Sequence, residues 1–186
     1  MANKEELGLV KNLLDNSYKK PQAQAREVNG FFRDDSLSGQ RAQVYYNPET
    51  KQTYVTHRGT ASPQDVLTDV KMVFGNKTGE RFKFAKDIQK QAEAKYGADN
   101  ITTLGHSLGG TIAEKVGKKS GKIVTLNKPV TPFDVAYSKV SEKQQDIKTR
   151  KDPVSILRKF QKGRKEKVIA GSDNPIEAHK LSGIRF

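Results

Sequence analysis

The sequence contains no cysteine and no tryptophan, and only two methionines and seven prolines in 186 residues. Without cysteine there is no disulfide, no thiolate metal site and no cysteine nucleophile. No apolar run approaches the ~20 residues that a membrane-spanning helix needs. The opening stretch, MANKEELGLVKNLLDNSYKK, lacks the apolar core of a secretory leader, so with no cysteine an intracellular, cytoplasmic location is favoured, with a viral particle as the alternative. Apolar residues make up only 34% of the chain. They nevertheless gather in short runs between polar turns, which is the pattern of a folded domain rather than a disordered one. At this length one domain is expected, large enough to bury a core.

The runs that are present alternate in kind. Leu7, Val10, Leu14 and Tyr18 recur at helical spacing in the opening stretch. QRAQVYYNPETKQTYVTHRGT reads as a hairpin, two β-rich runs around the turn residues Asn47, Pro48, Glu49 and Thr50. Ser62 and Pro63 can start a helix that runs to about Phe74. A further helical stripe, Phe84, Ile88, Ala92 and Tyr96, is closed by Gly97. Then come a short buried strand (ITTL), a helix over 108–119, a strand (KIVTL), a helix starting near Asp134, a strand in DIKTR and a last one in KVIAG. A hairpin followed by strands alternating with helices predicts an α/β fold, with parallel strands and helices on the sheet faces. The expected unit is a compact single domain over residues 1–186, of which 1–40 form a helical and irregular lead-in.

Positive charge, +13 net, is spread unevenly. Residues 1–110 hold 16 Lys and Arg against 13 Asp and Glu, and residues 111–186 hold 18 against 8. Nine basic and two acidic residues fall within 148–167. Such a run either solvates a surface or docks it on an anionic partner, a lipid headgroup layer or a nucleic acid. Its one aromatic, Phe160, does not make the stacking series that reads single-stranded bases, so nucleic acid is not the expected partner.

Chemistry concentrates at ITTLGHSLGGTIA. Gly105-His106-Ser107-Leu108-Gly109 is a G-x-S-x-G pattern between an expected strand and an expected helix. That is the setting of a nucleophile elbow, whose strained turn exposes the serine and leaves no room for side chains beside it. Sheets of this class carry their sites at the C-terminal ends of strands, and Ser107 sits at one. A serine hydroxyl needs a base, usually a histidine oriented by a carboxylate. The three histidines are His57, His106 and His179. The chain order Ser, acid, His singles out His179, because His57 precedes the serine and His106 adjoins it. The acids between are Glu114, Asp134, Glu142, Asp146, Asp152, Glu166, Asp173 and Glu177. Asp152 follows a strand and precedes Pro153, which puts it in a loop at a strand end. Asp134 and Asp173 stand as alternatives.

VTHRGTASPQDVLTDV, TTLGHSLGGTIAEKV, VTLNKPVTPFD and TRKDPVSIL together resemble the fungal-type triacylglycerol lipases, the class 3 lipases, over roughly residues 44–179. The resemblance implies an α/β-hydrolase fold and a serine carboxylic-ester hydrolase that acts on lipid esters. Within it Ser107 is the nucleophile, Asp152 the orienting acid and His179 the base. It also implies an oxyanion hole from the backbone N–H groups of Thr60 and Leu108, with Arg58, Gly59, Gly105, His106 and Gly109 in support. The hole's general logic agrees, since it takes the N–H after the nucleophile and one from an upstream loop. The family's lid falls at 62–74, where Val66, Leu67, Val70 and Phe74 form an apolar stripe. This chain is shorter than the secreted members and lacks their leader and cysteines. No cofactor or metal is implied. The rival expectation is an idle hydrolase fold that binds an anionic membrane or nucleic acid through its basic C-terminal half.

Overall fold

A computed structural model describes residues 3–60, 79–137, 139–163 and 165–186. The helix and lid expected over 62–74 lie outside them. The first element, α1 (Lys4–Tyr18), is capped by Asn3, whose side chain accepts the Glu6 N–H, and Glu5 and Glu6 stand at its positive end. Two short strands follow, β1 (Glu27–Val28) and β2 (Phe31–Arg33), turning through Asn29 and Gly30, both at positive φ. The expected lead-in is therefore a helix and two strands of the sheet. Strands of two and three residues are too short to show a period in the sequence.

The hairpin joins β3 (Ala42–Tyr46) to β4 (Thr53–His57), and the Asn47 side chain closes its turn by accepting the N–H groups of Glu49 and Thr50. Then come α2 (Gly79–Tyr96), β5 (Ile101–His106), α3 (Leu108–Val116), β6 (Lys122–Leu126), α4 (Pro132–Tyr137), β7 (Gln144–Thr149), β8 (Glu166–Ile169) and α5 (Pro175–His179). The eight strands form one sheet in chain order, antiparallel from β1 to β4 and parallel from β4 to β8.

Parallel strands laid down in chain order by right-handed crossovers collect those crossovers on one face and leave the other open. Here α1 fills the open face. Its Leu7, Val10, Leu13 and Leu14 pack with Tyr45, Tyr54, Leu104, Val124 and Leu126. On the opposite face Ile88 and Ala92 of α2 meet Val44, Val55 and Ile101, while Ala85 packs on Leu108 and Ile112 of α3. The two-residue alternation of strand side chains, Tyr54 against Val55, sorts the core into these halves. The buried stripe of α2 is Ala85, Ile88, Gln89 and Ala92, and Phe84 is 45% exposed, contrary to the spacing expected. The stripe is turned because buried Gln89 bonds the Thr103 and Ser120 hydroxyls, and small Ala85 lets α2 approach α3. The strands β4, β5, β6 and β7 all end at one edge of the sheet, and the loops there carry the site.

Candidate active site

At the end of β5 the backbone of Ser107 takes φ 55° and ψ −132°, a conformation that costs a non-glycine residue free energy. Two glycines make the turn possible. A Cβ on Gly105 would run into the backbone of Gly109, and one on Gly109 into the carbonyl of His57. The turn closes with Ser107 N–H on the Leu126 carbonyl at 3.0 Å and Gly110 N–H on the Ser107 carbonyl at 2.8 Å. Leu108 is the first residue of α3, so its N–H belongs to the helix start, where amides have no partner in the preceding turn.

His179 comes from α5, a five-residue helix capped by Asn174, whose side chain accepts from Ile176 and Glu177, with Pro175 at its first position. Its Nε2 lies 2.9 Å from Ser107 Oγ, and its Nδ1 lies 2.7 Å from Asp152 Oδ1. Asp152 sits three residues beyond β7 and is itself held by the N–H groups of Val154 (3.4 Å) and Ser155 (3.1 Å). All three side chains are buried. The structure thus brings Ser107, His179 and Asp152 into one hydrogen-bonded chain. It does not bring in the alternatives. Asp134 bonds Thr131, and Asp173 is exposed and paired with Lys151.

Residues 58–60 follow β4, whose last residue, His57, pairs with Gly105. Arg81 of α2 donates to the carbonyls of Arg58 and Gly59, and Arg58 N–H bonds the Arg41 carbonyl. Gly59 N–H donates to the Tyr18 hydroxyl at 2.9 Å. A Cβ on Gly59 would come within 2.7 Å of both that hydroxyl and the His106 carbonyl. Turn and elbow are therefore packed backbone to backbone, with Thr60 next in the chain.

Tyr18, Asn127 and Thr149 complete the frame, and sequence reasoning missed all three. The Tyr18 hydroxyl lies 2.7 Å from His106 Nδ1, and His106 Nε2 lies 2.8 Å from the carbonyl of His179. A carbonyl only accepts, so Nε2 carries the proton, Nδ1 accepts, and Tyr18 is the donor. Burial, reinforced by the neighbouring His179, pushes the His106 imidazole down to about 3, which keeps it neutral. Burial raises the Tyr18 phenol, so it keeps its proton. Asn127, at φ 46° just after β6, donates to the carbonyls of Ala178 and His179, and its side-chain oxygen accepts the Thr149 N–H. Thr149 Oγ1 donates to the Ala178 carbonyl at 2.6 Å. For α5, the signal was the Asn174-Pro175 helix start. For Tyr18 and Asn127 there was none, because their partners lie far along the chain.

Among the described residues no group of three or more His, Cys, Asp or Glu side chains could hold a metal ion, and no helix is long and apolar enough to cross a membrane. The chain matches no protein-family signature and no curated protein sequence. It does match solved structures. Lip2 lipase from Yarrowia lipolytica aligns over 82% of this chain and 75% of its own, at 20% identity and a TM-score of 0.52. A triacylglycerol lipase whose catalytic centre is a serine protease triad aligns over 90% of this chain and 82% of its own, at 17% identity and a TM-score of 0.59. Rhizomucor miehei lipase, in a propeptide complex of a deletion mutant, aligns over 98% of this chain and 75% of its own, at 16% identity and a TM-score of 0.57. The fold is thus the α/β-hydrolase fold of the fungal triacylglycerol lipases.

Proposed function

We propose that this protein is a serine hydrolase that cleaves carboxylic esters, with lipid esters as its substrate class. The observation that carries the reading is the chain Ser107–His179–Asp152, with bonds of 2.9 and 2.7 Å on a positive-φ serine. In the reaction Ser107 Oγ attacks the ester carbonyl while His179 Nε2 takes its proton. Asp152 holds the ring so that Nε2 faces the serine and stabilises the imidazolium that forms. The N–H groups of Leu108 and Thr60 receive the negative charge of the tetrahedral intermediate. His179 then protonates the departing alcohol, and an acyl group remains on Ser107. Water, deprotonated by the same imidazole, releases the acid and restores the serine. Likeness of fold to triacylglycerol lipases supports lipid esters as the substrate class.

The decisive experiment is labelling with a fluorophosphonate, which forms a stable adduct only with an activated serine. Wild type is expected to label at Ser107 and to hydrolyse p-nitrophenyl esters, and Ser107→Ala to do neither. A wild-type chain that stays unlabelled and hydrolyses no ester would leave the fold catalytically idle. Comparing triacylglycerol emulsions, phospholipid vesicles and soluble esters then ranks the substrates.

A further inference from the structure

At least three of the nine basic side chains in 148–167 have polar partners close by. Lys148 pairs with Glu166, Lys151 with Asp173, and Lys165 donates to the Glu142 carbonyl. A denser group of lysines, without ion pairs among the described residues, lies on the α2 and α3 face of the sheet. A groove of about 480 Å³ runs between α2 and the C-terminal end of α3. One wall carries Lys83, Lys86 and Lys90, at i, i+3 and i+7 of α2 and so on one face. The other carries Lys115, Lys118 and Lys119. All six are exposed, and none makes an ion pair with a described residue. The one carboxylate in the lining, Glu93, accepts from Gln89. The floor is apolar: Phe82 and Val116, with Lys115 Nζ 4.7 Å from the Phe82 ring centroid.

The negative end of α3 accounts for the lysines that follow it. On α2, Lys83 and Lys86 stand nearer the positive end and repel one another, offset in part by Glu80, Asp87 and Glu93 at helical spacing. An anion that bridges the walls gains from all six lysines at once. We propose that the groove binds a compact polyphosphate, a small molecule carrying several phosphate groups on one scaffold. From Lys83 to Lys90 the α2 wall measures about 10 Å, at 1.5 Å per residue. That span fits three or so phosphates and a ring resting on Phe82. A flat bilayer would touch the lysine tips and leave the floor empty. The groove also stands apart from the hydrolytic centre: Ser107 caps the start of α3, and Lys115 to Lys119 lie at its far end.

The test is calorimetric titration of the full chain with tripolyphosphate and with inositol hexakisphosphate. Saturable one-to-one binding is expected, weakening by about tenfold or more from 50 to 200 mM salt, as counterion release requires. Lys86→Gln, Lys90→Gln and Lys118→Gln together should weaken it by about tenfold or more, and Lys4→Gln, Lys20→Gln and Lys51→Gln by less than about twofold. Every replaced side chain is exposed, so both triple variants keep the fold. No saturable binding, or equal loss in the two variants, overturns the proposal. Single-stranded oligonucleotides that bind more tightly than either probe, and more so with length, would make the occupant a linear polymer and also overturn it. Vesicles separate the sources. Binding to a polyphosphorylated inositol lipid but not to phosphatidylserine at equal charge puts the phosphates on a lipid, binding to soluble probes alone puts them on a free molecule, and equal binding to both vesicles overturns the proposal.

Discussion

The Tyr18 hydroxyl donates a hydrogen bond to His106 Nδ1 across 2.7 Å, joining residues 88 positions apart. The same oxygen accepts the Gly59 N–H, and the far side of the His106 ring donates to the His179 carbonyl. One side chain of the first helix thus holds the turn before Thr60, the residue before Ser107 and, through it, the backbone of His179.

Tyr18→Phe removes that oxygen and little volume. It leaves Gly59 N–H and His106 Nδ1 without their partner, at a cost of about 1–3 kcal/mol in stability. It should also lower kcat on a soluble ester while KM stays near wild type, because the ester does not touch Tyr18. Denaturant unfolding and steady-state kinetics check both, and an unchanged kcat would show that the link is only structural.

Asp152→Asn preserves the shape of the loop but presents the wrong partner to His179. A loss in kcat on the order of 10⁴ is expected, as for other triads of this kind. Asp173→Asn, on an exposed side chain, should leave kcat unchanged. Should Asp173→Asn or Asp134→Asn be the damaging change, the acid has been assigned wrongly.

Acid should destabilise this protein earlier than carboxylate titration alone would. Burial holds His57 at about 4 and His106 at about 3, below the ordinary value near 6.5. Both are neutral in the folded chain, and the unfolded chain takes up their protons first. Stability is therefore fully present above pH ~6.5 and falls through the window down to pH ~3–4, with a limiting slope of ~1.4 kcal/mol per pH unit per histidine. Urea unfolding across pH 7 to 4 measures this, and His57→Gln should flatten the curve.

Two glycine substitutions should move stability in opposite directions. Gly8 lies inside α1 with open space where a Cβ would go, so Gly8→Ala should stabilise by ~0.5–1 kcal/mol. Gly109→Ala drives a methyl into the His57 carbonyl and should cost more than ~3 kcal/mol or prevent folding. Melting temperatures of the two variants are enough to decide.

The legible parts of this molecule were those whose cause is local. Asn47 at a turn, Gly105 and Gly109 around Ser107, and Pro153 after a strand each act on their own backbone, so they show in a short window of sequence. The meeting of Ser107 with His179 and Asp152 was legible only through the chain order that this fold imposes, and Asp152 stood there beside Asp134 and Asp173 as alternatives. The register of α2 was not. Its buried stripe contains Gln89, a polar residue satisfied by Thr103 and Ser120 from elements not adjacent in the chain. Tyr18 read as an apolar residue on a helix face, and its body does pack there. Its hydroxyl acquires meaning only when β4 and β5 bring Gly59 and His106 beneath it.

The sheet runs from β1 to β8 in the order in which the chain is written. Each new strand pairs with the strand just before it, and even the 43 residues between β4 and β5 add little to the closure cost, which grows only with the logarithm of loop length. A growing or refolding chain can therefore lay down α1 and the strands through β6, with Tyr18 under the elbow, before the rest arrives. Ser107 is then seated but unassisted, because Asp152 follows β7 and His179 follows β8. Under the proposed mechanism a chain that ends before α5 has the nucleophile but not its base, so ester hydrolysis requires the whole C-terminal half.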